Sequence, residues 1–239
     1  SISADGRYIA FESKADNLVT NDTNSTWDIF VHDQFTGQTT RVSVSSSGEQ
    51  GDRESRDPFI SANGGYVAFT SYAWNLVLDD TNFGDDVFRH DRETGETRRV
   101  SVSSSGGQSD AISDTASMSA DGRYIAFASK GSNLVAGDDN DYTDIFVRDE
   151  QTGQTTRVSL STSGDDHDGY WTGWPAISEN GCCVVFHSGA TNLVAGDTNN
   201  TGDVFVYDRT SGQMSRLSVS SAGAEGNDWS EYQSISADG

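Results

Sequence analysis

The sequence predicts an all-β protein built from four copies of one four-stranded antiparallel unit, and three observations lead there. A hexapeptide recurs: SISADG at Ser1–Gly6 and Ser234–Gly239, SMSADG at Ser117–Gly122, and the looser FISANG at Phe59–Gly64 and AISENG at Ala176–Gly181. Its closing glycines fall at 6, 64, 122, 181 and 239, and a fixed period of this kind marks a repeat architecture. Second, Gly, Ser, Thr, Asn and Asp dominate while Lys and Leu are scarce, the profile of short strands joined by many turns. Third, the apolar residues nowhere follow the i, i+3, i+4 spacing of an amphipathic helix.

Each element of a unit can be read in order. Asp5-Gly6, with Asn63-Gly64, Asp121-Gly122 and Asn180-Gly181, is a two-residue hairpin signal of type I′, which asks for positive φ at both positions. It joins a short inner strand ending at Ile2-Ser3 to a second strand, YIAF, at Tyr8–Phe11. A long polar loop leads to DIFVHD at Asp28–Asp33, and a turn at Thr36-Gly37 leads to TTRVSVS at Thr39–Ser45. DIFV does not alternate, so that strand is covered on both faces; RVSVS does alternate, which turns Arg41 to water on a charge-guarded outer edge. Units with buried middle strands and polar outer strands stack radially as the blades of a β-propeller. The repeats run 1–58, 59–116, 117–175 and 176–233, with 234–239 opening a further one. The expectation is a segment of a longer array, preceded by residues that the chain beginning at Ser1 lacks.

The string NLV-x-x-D-T-N-x-x-x-D-I/V-F-V-x-D-x-x-T-G-Q-T-T-R-V-S, present in variants in all four repeats, resembles the TolB-type propeller repeats of bacterial secreted and surface proteins. The resemblance implies a propeller fold and an extracellular, cell-surface or periplasmic setting. It implies no single activity, because such propellers serve as scaffolds and binding modules.

The chemical signal lies in the loop between the second and third strands. Its copies are DTNSTWD, DTNFGDD, DDNDYTD and DTNNTGD, all D-x-N-x-x-x-D. They place Asp22, Asn24 and Asp28, then Asp80, Asn82 and Asp86, Asp138, Asn140 and Asp144, and Asp197, Asn199 and Asp203 at loop positions 1, 3 and 7. Oxygen side chains at this spacing suit a hard cation such as Ca²⁺, bound weakly and for structure; the glycine and glutamate that complete an EF-hand loop are absent. The plain alternative is Asx-turn chemistry within a polar loop. Asp33, Asp91, Asp149 and Asp208 lie five strand residues further on, about 17 Å away, and are read as turn caps.

The loop from the outer strand to the next unit carries Tyr170, Trp171 and Trp174 in the third repeat and Trp229 and Tyr232 in the fourth. In a propeller it emerges on the same face as the metal loops. Its aromatics can stack on a sugar ring, or, the commoner use, pack between blades. His32 and His90 occupy equivalent positions held elsewhere by Arg148 and Tyr207, and His167 and His187 stand in unrelated places. No nucleophile–base set or phosphate loop is present, so no enzymatic activity is expected. Cys182-Cys183 stand where other repeats have Arg-Tyr; neighbouring strand residues face opposite ways, leaving two thiols and a strained vicinal bridge both open. The sequons at Asn21, Asn24 and Asn199 coincide with or adjoin the proposed ligands and are given little weight.

The formal charge of −22 argues against nucleic acid and anionic membrane as partners. No apolar run is long enough to cross a bilayer. The expected function is a calcium-stabilised, non-enzymatic structural or interaction module, such as the repeating unit of an extracellular fibre, with protein partners or self-association. A carbohydrate- or peptide-binding propeller using the aromatic face is the alternative, and a hydrolase or lyase a more distant one.

Overall fold

The computed structural model describes residues 1–239 and contains fifteen strands in four antiparallel sheets, without helices. The first sheet holds β1 (Tyr8–Ser13), β2 (Asp28–Asp33) and β3 (Gln38–Arg41). The second holds β4 (Ser55–Ile60), β5 (Tyr66–Ser71), β6 (Asp86–Asp91) and β7 (Thr97–Arg99). The third holds β8 (Ser113–Met118), β9 (Tyr124–Ser129), β10 (Asp144–Asp149) and β11 (Gln154–Arg157). The fourth holds β12 (Gly173–Ile177), β13 (Cys183–Ser188), β14 (Asp203–Asp208) and β15 (Gln213–Arg216). Each sheet is a meander in chain order. The inner place of the first is taken by Ser1–Ser3, which hydrogen-bonds along Tyr8–Ala10, with Ile2 opposite Ile9.

The middle strands explain the stacking. In every sheet the same cross-strand pair of phenylalanines recurs, Phe11–Phe30, Phe69–Phe88, Phe127–Phe146 and Phe186–Phe205, stacked at centroid distances of 5.7–6.0 Å. Three apolar cores then fill the three junctions between successive sheets. Strand alternation feeds two of them at once: Val67 and Phe69 enter the first core, and Ala68 between them enters the second. Burying a phenylalanine this fully contributes about 1.5–3 kcal/mol, so the non-alternating strands are where the fold gains its stability.

Three expectations are corrected at this level. The Asp-Gly turns are not type I′, because only the glycine has positive φ, 71° at Gly6 and 73° at Gly122. The Asp5 carboxylate instead accepts from the Ser3 hydroxyl at 2.6 Å and the Arg7 N–H at 3.0 Å, and the Gly6 N–H closes the turn onto the Ser3 carbonyl at 2.9 Å. Such an Asx arrangement needs left-handed backbone at one residue only. The outer strands end at Arg41, Arg99, Arg157 and Arg216 rather than running to Ser45, because the serine two residues on turns inward to a buried aspartate. And Arg41 does not face water: its side chain is largely buried, as are those of Arg99, Arg157 and Arg216.

The recurring hexapeptides bind one another in series. The Ala4 N–H donates to Ala62 O at 2.9 Å, Ala62 to Ala120 at 3.1 Å, and Ala120 to Glu179 at 2.9 Å. Asn180 continues the series to Ala237 at 3.1 Å, so Ser234–Gly239 lies against the fourth sheet and not along β1. The first and fourth sheets do not pair, and the ring is open.

Candidate functional site

The D-x-N-x-x-x-D loops share one backbone course, although the third lacks the Asn–Asp bond of the others and sets His167 Nε2 3.3 Å from Asp144. Each uses a left-handed residue at position 4, namely Ser25, Phe83, Asp141 and Asn200 with φ of 54–57°, which curls the loop so that positions 1, 3 and 7 converge. The arginine that ends the outer strand stands among them. Arg41 lies 3.3 Å from Asp22 and 3.7 Å from Asp28, and Arg99 lies 3.2 Å from Asp80 and 3.4 Å from Asp86. Arg157 approaches Asp138 at 2.8 Å and Asp144 at 3.4 Å, and Arg216 approaches Asp197 at 3.2 Å and Asp203 at 3.4 Å.

Most of the remaining oxygens are also engaged, the exception being Asp197, whose two buried carboxylate oxygens face Arg216 but accept no hydrogen bond. Asn24 turns its amide nitrogen to Asp28 at 3.0 Å and to Gly51 O at 2.9 Å, while its oxygen accepts from the Thr26 N–H. The Gln50 amide donates to both Asp22 and Asp28, at 2.9 and 3.1 Å. Ser43 accepts from the Ile29 N–H and donates to Asp28 at 2.6 Å, and Ser101 and Ser159 repeat that relay. Burial pushes the Asp86 carboxyl up to about 6, against the pull of Ser101 and Arg99. As folded, the first two loops do not fit a divalent cation, whereas in the third and fourth Asp166 and Glu225 replace the glutamine and add a third carboxylate beside Arg157 and Arg216. A guanidinium already supplies the positive charge, the asparagines present N–H₂, and a calcium ion would have to displace both.

The expected caps are where the sequence put them. Asp33 accepts the N–H groups of Phe35 and Thr36, and Asp149 those of Gln151 and Thr152. Asp33 and Asp149 also hold a bidentate pair with Arg7 and Arg123.

The aromatic loops build a different site. Tyr170, Trp171, Trp174, Trp229 and Tyr232 are between 50% and 81% exposed, so the expectation that they pack between blades is overturned. Two causes are visible. The inner strand bulges between Gly173 and Ala176, with Trp174 at φ 45°, and Trp171 is also left-handed at 66°. Bulges re-aim side chains, and the equivalent Asp57, Thr115 and Tyr232 share the positive φ. Tyr170, Trp171 and Trp174 consequently line a cleft of about 560 Å³ between the third and fourth sheets. Tyr142 joins them edge-on to Tyr170 at 4.6 Å, and Tyr232 lies 6.1 Å from Trp174. Trp229 stands apart, packed on Gly202.

Polar groups converge on the same cleft: Asp114 and Lys130 on one wall, Thr115, Thr143 and Thr172, and Asp141 at the rim. On the cleft lining His187 is 3% exposed under the Trp174 ring, 4.7 Å between centroids, and its Nδ1 has no hydrogen-bond partner. Burial lowers its pKa, so the ring is neutral near pH 7. Tyr142 and His187 escaped sequence reasoning, yet both leave a trace. The other repeats carry Thr26, Gly84 and Thr201 in place of Tyr142, and Glu12, Thr70 and Ala128 in place of His187. A residue that breaks a repeat inside a repeating frame is the signal.

No protein-family model matches the chain, and no curated protein matches it in sequence. Its fold does have solved counterparts. TolB from Acinetobacter baumannii superposes with a TM-score of 0.51 at 17% identity, over 90% of this chain and 42% of that one. A putative TolB from Agrobacterium tumefaciens gives 0.56 at 18% identity, over 90% of this chain and 62% of that one. The tricorn protease gives 0.53 at 12% identity, over 90% and 22%. The chain thus has the TolB-type β-propeller fold and spans less than two thirds of the length of these structures. At such identities the likeness is one of fold.

Proposed function

We propose that this chain is a non-catalytic binding module of an extracytoplasmic bacterial protein, a propeller segment that holds a neutral glycan chain in the aromatic cleft between its third and fourth blades. The exposed cleft is the observation that carries this reading. Solvent-exposed Trp and Tyr rings cost hydrophobic free energy unless something covers them. Three hydroxyls, two carboxylates and an unpartnered buried imidazole around those rings form the few convergent polar groups that orient a ligand in an otherwise apolar site. Sugars match this mixture, with C–H faces for the rings and hydroxyls for the acids. The charge of −22 disfavours acidic polysaccharides.

In the same reading the module is a scaffold locked by its own arginines, and bound calcium is the alternative that chelation decides. The test of the cleft is calorimetric titration with neutral oligosaccharides on the whole chain, alongside Trp174→Ala and Trp171→Ala. The expected result is binding that weakens at least tenfold in each variant, a loss of about 1.4 kcal/mol or more. Binding left intact in both variants, or retention of peptides in place of glycans, overturns the reading.

A further inference from the structure

We propose that Cys182 and Cys183 form a redox-active vicinal dithiol, a two-electron modification site at the contact between the fourth sheet and the Ser234–Gly239 segment. The position is occupied elsewhere by a tyrosine with a set structural task. Tyr8, Tyr66 and Tyr124 lie beneath the turn glycine of the following unit so closely that a Cβ at Gly64, Gly122 or Gly181 would fall 2.2, 2.3 or 2.4 Å from the ring. Arg92 and Arg209 also stack on Tyr8 and Tyr124, at 4.2 and 4.0 Å. In the fourth unit the ring is gone. A Cβ at Gly239 would instead meet the Cys183 Sγ at 2.8 Å and the Cys182 Sγ at 3.1 Å. The same joint is thus kept but built from two sulfur atoms.

The geometry brings those atoms together. Strand alternation would send them apart, but Cys182 precedes β13, which begins at Cys183, so its side chain is free of the pleat. The two Sγ atoms lie 3.0 Å from each other, both cysteines are free and partly exposed, and Cys182 Sγ is 3.5 Å from Asp238 O. The two thiols differ in readiness. The hydrogen bond from Cys183 lowers the Cys182 pKa, whereas burial pushes Cys183 up to about 12. The thiolate is the nucleophile in exchange, so Cys182 attacks first.

With a disulfide as oxidant, the Cys182 thiolate attacks one sulfur of RSSR, and RS⁻ leaves. Cys183 then loses its proton and attacks the Cys182 sulfur of the mixed disulfide, expelling the second RS⁻. Two thiols become one disulfide, and RSSR is reduced to two RSH. Adjacent residues hold their Cα atoms closer than a relaxed disulfide prefers, so the bond returns readily to dithiol.

The experiment is intact-mass and peptide mass spectrometry of the whole chain in buffers of graded oxidised and reduced glutathione. The expected product is monomeric, lacks two hydrogen atoms within the peptide holding both cysteines, and reverts as reduced glutathione is added. Cys183→Ser should instead accumulate a glutathione adduct on Cys182, since no resolving thiol remains. A wild-type chain that keeps its glutathione adduct, cross-links between molecules, or stays a dithiol throughout overturns the proposal.

Discussion

Asp149 illustrates how much one side chain can be asked to do. It caps a turn through two backbone N–H groups and accepts from Nε and Nη2 of Arg123, at 2.9 and 2.8 Å. The guanidinium first, and the backbone donors after it, hold its carboxyl well below the usual carboxylate range. The sign follows from linkage. A lowered folded-state pKa gives stability that is present above the unfolded value and lost as pH falls through the folded one. Arg123→Met should therefore melt below wild type at pH 7, and the gap should close progressively below about pH 4. Melting curves from pH 7 to pH 2 check this; a gap that persists unchanged at the acid end contradicts it. The buried Asp86 behaves oppositely, since burial raises its pKa and its charge costs stability as pH rises. It is kept because Arg99 and Ser101 partner it, and removing one partner of a buried charge costs more than the pair contributes.

Among the elements, the hexapeptide turn serves as both hairpin and joint. Gly122 needs its left-handed φ of 73° to close the turn, and it needs to lack a Cβ because the Tyr66 ring lies in that space. Gly106, at φ 87°, shares the backbone requirement but has nothing within 4 Å of the Cβ position. Gly106→Ala should then report backbone strain alone, about 1 kcal/mol. Gly122→Ala should cost about 1–3 kcal/mol more, because overpacking is added to strain. Denaturant midpoints of the two variants decide it, and equal losses would mean that the ring moves aside freely. The outer strand shows a comparable economy. In R-V-S the arginine reaches the loop aspartates, the valine enters the core, and the serine relays a backbone N–H to the buried carboxylate.

On the scale of the molecule, four loops each close on a cation that the chain itself provides. If that guanidinium is the cation the loops use, stability is insensitive to chelators, whereas a folded-state calcium site saturated a hundredfold would contribute about 2.7 kcal/mol. Thermal melts with chelator and with millimolar calcium should therefore coincide, and Arg99→Met should lower the melting temperature in both. A melt that falls in chelator and recovers with calcium would restore the cation to these loops. The open ring also leaves the outward faces of the first and fourth sheets without the neighbour that each inner sheet has on both sides. The aromatic cleft does not need that neighbour, since it is complete between the third and fourth sheets.

The repeat, the four-stranded units and the doubly covered middle strands were legible in the sequence, because strand alternation and turn residues are local and the period multiplied each weak signal by four. The capping aspartates were legible for the same reason, their partners lying two or three residues away. Arg41 was misread because periodicity assigns a face to a residue but not a partner, and its partners, Asp22 and Asp28, sit in an earlier loop of the chain. In the same loops spacing showed that three oxygen-bearing side chains converge, and only the packed structure showed a guanidinium among them. Tyr142, Trp174 and His187 come from three separate segments, and their meeting depends on a bulge, on left-handed backbone at Trp171 and Trp174, and on the contact of two sheets. The repeat determined the scaffold, whereas the cleft arises where the repeat is broken, and the consequence of such a break is settled only by what tertiary packing sets beside it.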